Sequence, residues 1–76
     1  MIREDLMQVF RHFEGNIGNG DDIPLKSIFA VKHKFLARYS SEDIIKGLNN
    51  LEDEGITINS NNSVRITAKG KKIVFS

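Results

Sequence analysis

Apolar side chains at Ile2, Leu6, Val9, Phe10 and Phe13 recur at i, i+4, i+7, i+8 and i+11. They share one stripe about 100° wide, which predicts an amphipathic helix. Gly15 is placed to end that helix in the left-handed conformation. The Gly-, Asn- and Asp-rich stretch 15–22 reads as a loop. Asp22 is then positioned to cap a second helix, with Pro24 in its first turn, where a missing N–H costs nothing. Leu25, Ile28, Phe29, Phe35, Leu36 and Tyr39 form its apolar face, and Lys32 falls near the middle of that stripe. Either Lys32 snorkels from the edge of the core, or the helix breaks into two pieces near 31–34.

The third helix has the sharpest start signal. Ser40 as N-cap puts Asp43 at N3, a short-armed capping box, and places Tyr39 and Ile44 as the partners of a hydrophobic staple. Ile44, Leu48 and Leu51 make its buried face, Ile45 and Gly47 flank it, and Gly55 stops it. After Gly55 the period changes to two: Ile56, Ile58, Val64 and Ile66 alternate with Thr57, Asn59, Arg65 and Thr67, predicting a β-hairpin. A single apolar face requires Ile58 opposite Val64 and Ile56 opposite Ile66. That register leaves the three-residue loop Ser60-Asn61-Asn62 between Asn59 and Ser63. A two-residue Asn61-Asn62 turn would pair Ile58 with Arg65 and split the apolar face, so it is rejected at this level. For the last segment two forms stay open: a short helical turn capped by Thr67, or a returning strand over 72–75.

Seventy-six residues allow one domain, spanning 1–76, with one core of modest stability. Apolar content of 39% and charged content of 28% are ordinary for a folded domain. The absence of cysteine rules out disulfides and thiolate-bound zinc and fits a reducing cytoplasm. The charged start Met1-Ile2-Arg3-Glu4-Asp5 and the lack of a long apolar run predict neither a signal peptide nor a membrane span. The expectation is a cytoplasmic α+β domain of three helices followed by a short antiparallel hairpin. Its net charge of +1 is unevenly distributed. Residues 41–55 set Lys46 against Glu42, Asp43, Glu52, Asp53 and Glu54, a balance of −4, whereas 56–76 carry Arg65, Lys69, Lys71 and Lys72 without an acid.

Leu48-Asn49-Asn50-Leu51-Glu52-Asp53-Glu54-Gly55-Ile56 looks like the end of a recognition helix entering a wing. Val64-Arg65-Ile66-Thr67-Ala68-Lys69-Gly70-Lys71-Lys72 resembles the Leu-Thr-x-Lys-Gly signature that follows the wing in many bacterial transcription regulators. With the element order, these strings give nearly the whole chain a resemblance to the winged helix-turn-helix superfamily. That resemblance implies a small DNA-binding domain, a transcriptional regulator whose third helix enters the major groove.

No pattern points to catalysis, a cofactor or a metal. His12 and His33 lie on different predicted helices without metal-ligand spacing. The stretch 20–27 lacks the second glycine of a phosphate-binding loop, and a calcium loop counted from Asn16 would end on Ser27 instead of glutamate. An enzyme is not expected.

For duplex DNA, the candidate residues are Ser41, Glu42, Lys46, Asn49 and Asn50 on the third helix. Asn49 or Asn50 suits adenine, Lys46 guanine or phosphate, and Glu42 cytosine. Arg65, Lys69, Lys71 and Lys72, with Lys26, Lys34 and Arg38, are candidates for the backbone. The same Glu42 and Lys46 also have the spacing of a solvent-exposed i,i+4 ion pair. The alternative is protein–protein interaction through the acidic third helix, or self-association, for which Met7 on the outer side of the first helix is a candidate contact. An accessory role beside a larger partner is a third reading.

Overall fold

The computed structural model describes residues 1–13 and 22–75. The expected end of the first helix at Gly15, and most of the loop that follows it, lie outside the described residues. In chain order the elements are α1 (Ile2–His12), β1 (Asp22–Pro24), α2 (Leu25–Ala30), α3 (Lys32–Phe35), α4 (Ser41–Asp53), β2 (Thr57–Asn59), β3 (Ser63–Ile66) and α5 (Ala68–Val74). The architecture is α+β: among the described residues, five helices surround a three-stranded antiparallel sheet of order β1-β3-β2.

The predicted stripe of α1 is buried at Leu6, Val9 and Phe10, but Met7 is buried too, at 2% exposure, so it is not the outward-facing contact expected from the stripe. The reason is crowding. α1 packs against α3, α4 and α5, which together cover more of its circumference than one neighbour would.

The second predicted helix is two. At Val31 the backbone leaves helical geometry (φ −101°, ψ 11°) and its amide reaches back only to the Ile28 carbonyl, at 3.3 Å. The break decides between the two forms left open for Lys32, which sits half-buried at the start of α3. Nor does Asp22 cap α2. It belongs to β1, a strand absent from the sequence reading, and Pro24 takes the N-cap position (φ −60°, ψ 139°). The first helical amide, Leu25 N–H, is satisfied across the sheet by the Asn62 carbonyl at 2.8 Å.

α4 begins as expected. Ser40 Oγ accepts from the Asp43 amide and Asp43 Oδ2 accepts from the Ser40 amide, each at 3.1 Å. Ile44, Gly47, Leu48 and Leu51 face the core. Gly55 closes the helix at φ +79°, the left-handed region where a side chain would be strained, and Ile56 N–H turns back onto the Leu51 carbonyl at 3.0 Å.

That closure overturns the expected hairpin register. Ile56 is consumed by the turn, buried before the strand begins, and the inward positions of β2 are Thr57 and Asn59. The pairs are Thr57 with Ile66, Ile58 with Arg65 and Asn59 with Val64, joined by the two-residue Asn61-Asn62 turn. The hairpin therefore tolerates a split apolar face, with Ile58 56% exposed, because its inward polar groups find partners. Thr57 Oγ1 donates to Asn59 Oδ1 at 2.9 Å, and Asn59 Nδ2 donates to the Leu48 carbonyl of α4 at 2.9 Å. The tail resolves to a helix. Thr67 Oγ1 caps α5 by accepting from Gly70 N–H at 2.9 Å. Ile23, Val64 and Ile66 from the sheet meet Phe10, Ile28, Leu36, Ile44 and Val74 in the core. Among the described residues no helix is long and apolar enough to cross a membrane.

Candidate nucleic-acid interface

The face of α4 turned away from the core carries Glu42, Ile45, Lys46, Asn49 and Asp53, with Ser41 and Asn50 at its margins; all are exposed. Ser41, Glu42, Ile45, Lys46 and Asn49 line one shallow depression. Ile45 and Asn49 continue into a second, whose other walls are Leu25, Leu48, Val64 and the polar residues Asn59, Ser60 and Asn61. Leu25 and Asn61 in turn lead to a third, with Pro24, Lys26 and Asn62. One side of the molecule thus joins the α4 face, the β2–β3 turn and the start of α2. Asn50 lies apart, in a shallow groove with Met1, Ile2, Tyr39, Asp43, Lys46 and Gly47.

Glu42 and Lys46 do not form the ion pair that their spacing allows. Among the described residues, Ser41, Glu42, Lys46, Asn50 and Lys26 have no side-chain hydrogen bond or ion pair within the chain. Asn49 Oδ1 is approached by Asn59 Nδ2 at 3.5 Å, too long to occupy the amide fully.

The basic residues of the second half are employed differently from the expectation. Arg65 crosses the outer face of the sheet to Asp22, with Nε–Oδ1 at 3.0 Å and Nη2–Oδ2 at 3.3 Å. Its guanidinium holds the Asp22 carboxyl below the usual carboxylate range, first through the hydrogen bond and then through charge. Lys69 Nζ donates to the Glu54 carbonyl at 2.8 Å, where a cation meets the negative end of α4. That end is about 20 Å from Ser41, given 13 residues of helix. Lys69 is therefore at the opposite end of α4 from Ser41 and Glu42, about 12 Å along the helix from Lys46, because the α5 cap fixes it on α4's C-terminus; Lys71, one turn of α5 from the Thr67 cap, is half-buried.

The Thr67-Ala68-Lys69-Gly70 string thus has an internal job. Thr67 Oγ1 also approaches the Gly55 carbonyl, at 2.6 Å, while Gly70 lies so close to the Ile56 carbonyl that a β-carbon there would collide with it.

The acidity of 41–55 is similarly partly absorbed. Asp43 is held in the capping box, Glu52 Oε2 accepts from Asn59 N–H at 2.9 Å, and Glu54 is gripped by Arg3, with Nη2–Oε1 at 3.1 Å. The Arg3 hydrogen bond lowers the Glu54 pKa. Glu42 and Asp53 remain on the exposed face without a partner among the described residues.

Elsewhere, Tyr39 Oη donates to Asp5 Oδ2 at 2.7 Å, which raises the phenol's pKa. Lys34 lies over the Phe35 ring at 5.5 Å and Arg38 over Tyr39 at 5.7 Å. The His12 ring lies tilted against Phe35, with centroids 5.3 Å apart, and both His12 and His33 are exposed. Among the described residues no cluster of three or more His, Cys, Asp or Glu side chains could hold a metal ion.

The sequence reading missed two members of this surface: Ile45, 40% exposed in its centre, and the Asn61-Asn62 turn beside it. The flanking position of Ile45 on the α4 wheel was the available signal; nothing local announced the turn's neighbours. No protein-family model, curated protein or solved structure matches the chain.

Proposed function

We propose that this chain is a winged helix-turn-helix domain that binds duplex DNA, with α4 as the recognition helix, the β2–β3 hairpin as the wing, and transcriptional regulation as its role. The supporting observation is the side of the molecule on which the unpartnered hydrogen-bonding groups of Ser41, Glu42 and Lys46 adjoin Asn49, the Asn61-Asn62 turn and Lys26. Such groups form two or more directional contacts with base edges without first breaking internal ones. The element order, with a strand before the second helix pairing to the far strand of the hairpin, agrees with this reading.

A protein partner drawn to an acidic helix is less well supported. Three of the five carboxylates that made 41–55 acidic are engaged inside the fold. Lys46 and Lys26 are then the nearest cations for phosphate, and Arg65 contributes only if it leaves Asp22 or bridges from it.

The test is an amide NMR titration with random-sequence duplex at low salt. Shifts should concentrate in residues 41–50, 26 and 60–62 and vanish as salt is added. Lys46→Glu should weaken binding about tenfold and lower the salt slope by about one. Binding that ignores Lys46→Glu would remove α4 from the groove. Silence at high-micromolar duplex would transfer the surface to a protein partner.

A further inference from the structure

Ile45 is 40% exposed, yet it sits at the junction of two depressions, one turn of helix from both Ser41 and Asn49 and flanked by Glu42 and Lys46. With only the half-buried Leu25 and the buried Leu48 and Val64 beside it, Ile45 exposes too small an apolar patch to anchor a protein partner, since interaction patches run to several hundred Å². In the major groove it has one counterpart. The C5-methyl of thymine is the only apolar feature that a base edge presents there.

Resting on the DNA-binding reading, we propose that Ile45 is a specificity residue that packs against a thymine methyl. Asn49, about 6 Å further along the helix, then faces a base about two steps away. There its amide matches the paired acceptor and donor of adenine. The site this surface selects contains an A·T pair under Ile45 and another under Asn49. Leu25 and Val64 line the adjoining depression beside Ile45, so the thymine methyl would meet apolar surface on that flank as well.

Selection from a random duplex pool supplies the ligand, and each thymine of the selected duplex is then replaced in turn by uracil, which removes only the methyl. One replacement should weaken binding by the wild-type chain about fourfold, the affinity equivalent of burying one methyl-sized group. Ile45→Ala should bind the thymine duplex about fourfold more weakly and be indifferent to that same replacement. The uracil series needs no altered protein, so it reports even if the variant misfolds. Binding that tolerates every uracil, or an Ile45→Ala chain that keeps the wild-type sensitivity, overturns the role of Ile45 and leaves the DNA reading standing. A pool that is not retained at all overturns both.

Discussion

Arg65 and Asp22 face each other across β3 and β1, and their pairing dictates how acid acts on the sheet. A carboxyl whose folded pKa lies below its unfolded value contributes stability that is complete above the ordinary carboxylate range. That contribution is lost as the pH falls through the folded pKa. Both Asp22 and Glu54 are shifted this way, by Arg65 and Arg3. Urea-unfolding midpoints should therefore fall as the pH drops below that range, and Asp22→Asn should flatten part of the slope. An unchanged slope would mean that the pair survives equally in the unfolded chain. At this scale the sequence was legible where a residue's partner is a chain neighbour, as with Ser40 and Asp43. It was not legible where the partner is distant: Arg65 and Lys69 carry the same charge on paper as Lys46, but Asp22 and the Glu54 carbonyl claim them.

Helix α5 is held by contacts that act through shape as much as through hydrogen bonding. Its cap, Thr67, is tied to the Gly55 and Ile56 carbonyls, and Gly70 rests against the Ile56 carbonyl and the Ile66 side chain. Gly70→Ala should destabilise the fold by about 1–3 kcal/mol, as overpacking does where backbone cannot yield. Chemical denaturation would measure it, and an unchanged midpoint would show that α5 can move aside. Helix α1 was readable because its apolar period is local, and α4 because both its apolar period and its capping box are. The hairpin was readable as an element but not in register. Alternation assigns Ile56 and Ile58 to one face, whereas the helix-closing turn at Gly55 removes Ile56 from the count. Strand β1 was not readable at all. Asp22-Ile23-Pro24 has no intrinsic strand preference, and it is extended because β3 offers it an edge.

Across the whole molecule, the charges sort into those that hold the fold and those turned outward. Arg3, Glu54, Lys69, Arg65 and Asp22 tie distant elements together, while Lys46, Glu42, Asp53 and Lys26 are left exposed. The α4 residues of the candidate surface were legible in the sequence but its boundary was not, because which cations are engaged depends on the tertiary fold. The free side of β2 has a further consequence. A terminal strand with an unpaired amide invites another chain to extend the sheet, yet here the Glu52 carboxylate occupies the Asn59 N–H from a helix of the same chain. The carboxylate thereby covers one position at which a second chain would extend the sheet. Glu52→Ala should scarcely alter unfolding but should bring on concentration-dependent association, visible as faster-sedimenting species. The resistance of this sheet edge to a second chain is thus set in part by one side chain.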